Sequence, residues 1–238
     1  MSDDRGARSS QASTRAQLLN SARELVLERF RNGVAPHHAL AYLTPAAVAQ
    51  HAGLSRGTIY HYWGGHESTS DDRPFERFLA EVAEMLWEES VDIEDLDLLS
   101  SLLPDNMSDL ILELTAFEIA RLSAGDGAVM FRASATMALH GVDLSRHFAV
   151  SIDQLAVLYQ VGLARLGRKV RAPLETRDVA QTVASLTAGT LLNDLFDPGS
   201  AARSINWTPS VPQTSSDKVW TLFAIAVEAV LLNMSEPI

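Results

Sequence analysis

Two short helices joined by one tight turn are the strongest constraint in the sequence, and they lie within residues 44–63. Thr44 is a good N-cap residue, and Pro45 suits the first helical position because the N–H that it lacks is not needed there. Gly53 can adopt the left-handed conformation that ends a helix. Ser55 is a second N-cap residue only two positions later. This spacing predicts a helix-turn-helix with its turn at Gly53.

The apolar and polar residues of this stretch separate onto opposite sides. Ala47, Ala52 and Gly53 are small enough to let the two helices cross closely. Ile59 and Trp63 lie four apart and form an inner face on the second helix. The polar residues of that helix then face outward, where they can reach phosphates and base edges if the helix enters a major groove. These outward residues are Arg56, Thr58, Tyr60 and His61.

The rest of the chain also has helical periodicity. Leu18, Ala22, Val26 and Phe30 are spaced four apart and predict one amphipathic helix before the motif. No strand pattern stands out, so we predict an all-α protein with a three-helix head at 15–70 after a mobile tail at 1–14, and a larger helical body at 71–238. The helices of the body are predicted at about 73–90, 92–102, 106–123, 127–140, 145–167, 174–196 and 216–234, between breaks at Gly and Pro.

Charge is distributed unevenly along the chain. The formal net charge is -11, but residues 1–70 hold seven Arg and five acidic residues, so the head carries +2 and the body -13. Phosphate can therefore approach the head, whereas the body repels it. The chain has no cysteine, which excludes disulfides and thiolate metal sites. No apolar run reaches the roughly 18 residues that a membrane span needs, and the N-terminus has no apolar leader-like segment, so we expect a cytoplasmic protein that does not enter a membrane.

The segment LTPAAVAQHAGLSRGTIYHYWGGHES resembles the DNA-binding signature of the TetR family of transcriptional regulators. The resemblance covers about residues 14–70, and the remainder resembles the family in size and helical character. It implies a homodimer that binds a palindromic operator in double-stranded DNA. It also implies that residues 71–238 form an effector-binding and dimerisation domain that senses a small molecule.

The resemblance also implies which residues meet DNA. By position in the motif they are Thr44, Ser55, Arg56, Gly57, Thr58, Tyr60, His61, Tyr62 and His66. The chain departs from the family at two of the motif positions. Trp63 stands where the family usually has Phe, and His66 stands where it usually has a Lys that binds phosphate. Because His66 binds phosphate fully only when protonated, we expect weaker and more pH-dependent DNA binding than a lysine would give.

The body offers candidates for an effector pocket and for a dimer interface. Large apolar or polar residues on the middle helices could line a pocket, although each of the apolar ones could equally be core packing. They are Trp87, Phe117, Arg121, Met130, Phe131, Met137 and Tyr159. The helices at 174–196 and 216–234 are dense in apolar residues and are the predicted dimer interface, with a core of one subunit as the alternative.

Two other functions remain open at the level of the sequence. One is a DNA-binding activator or architectural dimer without an effector. The other is an all-helical metal enzyme, because Asp71, Asp72 and Glu76 faintly resemble the aspartate-rich motif of terpene synthases. These acids stand at a predicted helix start, where acids are common, and no second metal motif is evident. We therefore expect a ligand-responsive regulator, most simply a repressor, and not an enzyme, with no cofactor and no bound metal.

Overall fold

The computed structural model describes residues 3–32, 43–64, 73–91, 103–123, 125–214 and 219–238, and this part of the chain is predominantly helical. The predicted all-α class is confirmed. The helices are α1 (Asp3–Arg31), α2 (Pro45–His51), α3 (Arg56–Trp63), α4 (Pro74–Val91), α5 (Met107–Ser123), α6 (Gly125–Leu139), α7 (Ser145–Arg165), α8 (Thr176–Phe196) and α9 (Leu222–Met234). The predicted helix at 92–102 lies outside the described residues.

The described residues also contain four very short strands: β1 (Arg168–Val170), β2 (Ser204–Ile205), β3 (Trp220–Thr221) and β4 (Ser235–Pro237). β1 pairs antiparallel with β4, and β2 pairs antiparallel with β3. Sequence analysis did not predict these strands, because alternation of apolar and polar residues needs at least four residues to be recognisable.

The chain packs as two compact units. Unit 1 consists of Met1–Val91 and Gly125–His147, and unit 2 consists of Asp92–Ala124 and Phe148–Ile238. The helices α4 and α6 pack against each other and against α1 in unit 1. Part of the predicted body therefore packs with the head in unit 1. The boundary between functional domains at residue 70 stays a prediction.

The core of unit 1 contains the apolar stripe predicted for α1. Leu18, Ala22 and Val26 are fully buried, together with Ile59 of α3 and Phe78 of α4. Each fully buried side chain of this size contributes roughly 1.5–3 kcal/mol through the hydrophobic effect, so the stripe is enough to hold α1 against the motif. The pairing of α1 with its neighbours is therefore what positions α2 and α3.

Helix α1 begins at Asp3, well before the predicted start at residue 15. The segment that we predicted as a tail has few apolar residues and gives no packing pattern, which is why periodicity did not detect it.

Unit 2 has a separate apolar core formed by α5, α7, α8 and α9. Its fully buried residues include Ile111, Ile152, Val179, Phe223 and Val227. Helix α9 begins at Leu222, later than predicted, and the hydroxyl of Thr221 caps it by accepting a 3.1 Å hydrogen bond from the backbone N–H of Ala224. Among the described residues, no helix is long and apolar enough to cross a membrane.

Candidate nucleic-acid interface

Helix α2 begins and ends as its sequence predicts. The Thr44 hydroxyl accepts a 3.2 Å hydrogen bond from the backbone N–H of Ala47, and Pro45 occupies the first turn. Gly53 has a φ of +67°, the left-handed conformation that favours glycine. Its N–H donates to the carbonyl of Gln50 (3.1 Å), and the N–H of Leu54 donates to that of Ala49 (2.8 Å). This is a Schellman motif, which satisfies the last carbonyls of α2 and turns the chain toward α3.

Helix α3 begins directly after the turn. Ser55 precedes it in an extended conformation, as an N-cap residue should, and its carbonyl accepts a 3.0 Å hydrogen bond from the N–H of Thr58. The two hydroxyl groups of Ser55 and Thr58 also lie 3.0 Å apart and bond each other. The Ser55 side chain makes no capping bond to the described backbone, so the free N–H groups of the first turn stay available to another acceptor.

The inner face of α3 is buried and packs against the core of unit 1. Ile59 and Trp63 are buried, and the rings of Trp63 and Phe78 meet edge to face with centroids 4.8 Å apart. On the other side, the Arg15 guanidinium lies 5.3 Å from the centre of the Trp63 ring and also forms a 2.5 Å ion pair with Glu81. The orientation of α3 is thus set by contacts from both α1 and α4.

The outer face of α3 carries most of the residues predicted to bind DNA. Ser55, Arg56, Gly57 and His61 are exposed, and Tyr60 is 44% exposed. Two predicted residues are only partly available: Thr58 is half-buried, and the half-buried Tyr62 packs against the apolar core of unit 1. Thr44 is exposed at the start of α2, and His66 lies outside the described residues. The predicted role of each residue stays a prediction.

The electrostatics of this face suit a polyanion. No Asp or Glu occurs between Glu28 and Glu67, although the chain has 30 acidic residues in all. Both α2 and α3 are therefore free of acidic side chains, and Arg56 and His61 lie on the exposed side of α3. A phosphate that approaches α3 meets hydroxyl, imidazole and guanidinium groups and no carboxylate of these two helices.

The structure separates the residues predicted to line an effector pocket. Phe117 and Tyr159 both line a cavity of about 30 Å³ in unit 2, between α5, α7, α8 and α9. The others lie in unit 1, in or against its apolar core, where the rings of Trp87 and Phe131 are 6.2 Å apart. Met130 and Met137 belong to this core, Trp87 packs against it, and Phe131 contacts Trp87, while the side chain of Arg121 lies outside the described residues.

Three polar residues of the cavity were not among the sequence candidates: Thr115, Glu118 and Thr187. Thr115 and Glu118 are three residues apart on α5, so one side of this apolar helix carries both polar groups. The three-residue spacing of Thr115 and Glu118 on α5 is the sequence signal that could have indicated these two cavity residues.

No group of three potential metal ligands occurs among the described residues. Of the acids that resemble a terpene synthase motif, Glu76 accepts a 2.9 Å hydrogen bond from Arg73 in an exposed ion pair. Asp71 and Asp72 lie outside the described residues.

Comparison with known proteins gives a limited result. No family model matches the chain, and no curated protein matches it. Similar solved structures include two of NalD, the secondary repressor of the MexAB-OprM multidrug efflux pump in Pseudomonas aeruginosa. The first aligns at 16% identity over 80% of this chain and 87% of NalD, with a TM-score of 0.43. The second aligns at 20% identity over 79% and 87%, with a TM-score of 0.37.

Proposed function

We propose that this chain is a transcriptional regulator of the TetR type, which binds operator DNA as a homodimer and is released by a small-molecule effector. The observation that carries the proposal is the outer face of α3. It presents polar side chains without an acidic one in a strongly acidic chain, on a helix whose inner face is fixed by Trp63 and Ile59. The motif residues that resemble the TetR signature add to it.

Helix α3 can serve as a recognition helix in the major groove. Arg56 and Tyr60 carry the donors that reach phosphates and base edges, and Gly57 between them lets the helix backbone approach DNA closely. Phosphate contacts fix the register of the protein on the duplex, while base contacts select the sequence. Repression then follows if the bound site overlaps a promoter.

Exposed apolar side chains support dimerisation through α8 and α9. Phe196, near the end of α8, is 86% exposed, and Leu222, at the start of α9, is 66% exposed. Leu192 lies one turn before Phe196 on the same helix and is also exposed. Large exposed apolar side chains are covered by a partner in many oligomers. A second copy of the chain is the partner that a two-fold operator requires.

Effector release needs only a modest coupling between sites. A small molecule that favours one state of the dimer by about 1–3 kcal/mol changes operator affinity roughly 5- to 150-fold. The state that it favours holds the two α3 helices at a spacing unsuited to successive major grooves. An effector that binds without changing operator affinity would contradict this mechanism.

Binding to DNA from just upstream of the gene for this protein tests the proposal. We expect tight, sequence-selective binding that weakens with salt, and loss of that binding in Tyr60→Ala. Arg56→Ala should weaken binding. It should also make the slope of log affinity against log salt concentration shallower by about one, because one phosphate contact is lost. Lys169→Ala is the matched control, because Lys169 is an exposed cation on β1, paired with Glu236 and remote in sequence from the motif. Equal binding to unrelated DNA would contradict the proposal.

A further inference from the structure

The cavity in unit 2 combines an apolar lining with a small number of polar groups. It is about 30 Å³ in volume, which is room for about two water molecules. Aromatic side chains form part of the lining, among them Phe117, Tyr159 and Phe223. Phe117 is 44% exposed and so marks the side on which the lining reaches the surface. A ligand of this site would place one small group inside and the rest of its body beside Phe117.

The two threonine hydroxyls that line the cavity can offer a ligand hydrogen-bond acceptors. The Thr115 hydroxyl donates a 2.7 Å hydrogen bond to the carbonyl of Ile111, one turn earlier on α5. The Thr187 hydroxyl donates a 3.0 Å hydrogen bond to the carbonyl of Val183 in the same way on α8. Each hydroxyl has a single hydrogen, so its oxygen keeps only lone pairs to offer.

Tyr159 brings an unpartnered polar group to the same cavity. Its side chain is 7% exposed, and its hydroxyl makes no hydrogen bond with the described part of the chain. A ligand donor that reaches this hydroxyl oxygen would form a hydrogen bond that the described chain does not supply. Burial and the nearby charge of Glu118 raise the pKa of the Tyr159 hydroxyl well above its ordinary value, so the group stays neutral.

Among the described residues that line the cavity, Glu118 is the one that carries a charge. It lies one turn from Thr115 on α5, so carboxylate and hydroxyl oxygens stand on the same side of the helix. The Glu118 side chain and the Tyr159 side chain line the same cavity. An anionic ligand is disfavoured by this charge, and a neutral hydrocarbon leaves the polar oxygens without partners.

We propose that this cavity anchors the effector of the regulator and that the effector class is a primary amine with an apolar body, held through its ammonium group. An ammonium has three N–H donors and no acceptor, which matches the oxygens of Tyr159, Thr115 and Glu118. Rings such as Phe117 and Phe223 add a cation–π attraction. The inference rests on the proposed function, since that function is what requires an effector.

Binding of three fluorinated probes to the full-length protein, followed by ¹⁹F NMR at pH 7 without DNA, tests the inference. The probes are 4-fluorobenzylammonium, its neutral isostere 1-ethyl-4-fluorobenzene, and 4-fluorobenzoate. We expect the ammonium to bind at least about tenfold more tightly than the isostere, because the half-buried Glu118 carboxylate attracts a cation and does not attract a methyl group. Equal or reversed affinities overturn the inference, and so does the absence of binding by all three.

Variants then locate the site. Glu118→Gln keeps the shape of the side chain and removes its charge, and we expect it to abolish the preference for the ammonium. Tyr159→Phe removes the hydroxyl alone and should weaken ammonium binding several-fold. Glu113→Gln is the matched control, because Glu113 is an exposed acid of the same helix outside the lining. If Glu113→Gln and Glu118→Gln change the affinity equally, the inference is overturned.

Operator binding by the same wild-type preparation separates this inference from the proposed function. If the protein binds DNA selectively but shows no preference for the ammonium, the inference fails and the proposed function stands. If it prefers the ammonium but binds no DNA selectively, the proposed function fails, and the cavity remains an amine site. If a variant fails to fold, the comparison of the three probes on the wild-type protein decides alone.

Discussion

The side-chain amide of Gln17 donates a 2.8 Å hydrogen bond to the carbonyl oxygen of Ala52. This bond joins α1 to the turn between α2 and α3, and it satisfies one of the carbonyls that a helix leaves unpaired at its end. We expect Gln17→Ala to destabilise the protein by about 0.5–1.5 kcal/mol, the usual net value of such a bond. Because the turn sets the position of α3, DNA affinity should fall as well.

Urea unfolding of Gln17→Ala beside Gln50→Ala measures this contribution. Gln50 is an exposed glutamine of α2, and no side-chain hydrogen bond joins it to the described residues. Its removal should change the free energy of unfolding by less than about 0.5 kcal/mol. Equal losses in the two variants would mean that the bond from Gln17 to Ala52 adds nothing to stability.

Gly57→Ala should separate folding from DNA binding. A Cβ atom at Gly57 would have Ser55 Oγ as its nearest neighbour, at an ordinary contact distance of 3.7 Å. Alanine is favoured over glycine within a helix by up to about 1 kcal/mol, so we expect the free energy of unfolding to rise. The added methyl group keeps the backbone of α3 away from DNA, so operator affinity should fall. Unchanged affinity would show that the helix does not approach DNA at this position.

Gly53→Ala should have the opposite effect on stability. Gly53 has a φ of +67°, and no atom lies within 4 Å of the position of an added Cβ. Strain of the left-handed backbone is therefore the whole cost, and we expect a loss of about 1–2 kcal/mol in the free energy of unfolding. Gly53→Asn should lose less, because asparagine tolerates this conformation better than alanine does. Equal stability of all three proteins in thermal unfolding would contradict the assignment of the turn.

Much of unit 1 could be predicted because its signals are local. The ends of α2 depend on Thr44, Pro45 and Gly53, each of which acts through its own backbone and nearest neighbours. The buried stripe of α1 was predicted from the regular spacing of residues such as Leu18 and Ala22. Signals of this kind survive in a single sequence, and they are also the ones on which the proposed DNA interface rests.

The cavity of unit 2 could not be predicted in the same way. Met130 and Met137 are large and adaptable, which suits either a pocket or a core, and the structure places both in the core of unit 1. The side of α5 that faces α7 and α8 depends on packing between distant segments. Glu118 therefore resembled any other acidic residue of a helix until its neighbours, such as Tyr159, were known.

Trp63→Phe should be nearly neutral although Trp63 is buried. The indole Nε1 of Trp63 finds no hydrogen-bond acceptor among the described residues, so the native side chain carries the cost of a buried unpaired donor. Phenylalanine removes that donor but also removes apolar contact area, and the two effects offset each other. We expect a change below about 1 kcal/mol in urea unfolding, against a loss of about 3–5 kcal/mol for Phe78→Ala in the same core. A loss of similar size in both variants would contradict this account.

Glu228 on α9 is buried, and its carboxylate accepts hydrogen bonds from the long loop that precedes this helix. Its Oε2 accepts a 2.8 Å hydrogen bond from the indole N–H of Trp207, and its Oε1 accepts a 2.8 Å hydrogen bond from the backbone N–H of Ser210. Glu228→Gln keeps only one acceptor, so one donor then faces an amide NH₂ group. We expect a loss of about 1–3 kcal/mol, because that donor becomes unpaired.

Thermal unfolding of Glu228→Gln and Glu228→Leu beside Glu236→Gln measures how strongly the loop is held. Glu228→Leu removes both acceptors and should destabilise the protein more than Glu228→Gln does. Glu236 forms an ion pair with the exposed Lys169, and removal of its charge should cost less than about 1 kcal/mol. The chain has four tryptophans, so the contribution of Trp207 is taken as the fluorescence that Trp207→Phe removes, and it should change when its indole loses the acceptor. If fluorescence and stability were unchanged in Glu228→Leu, the carboxylate would not be what holds this loop to α9.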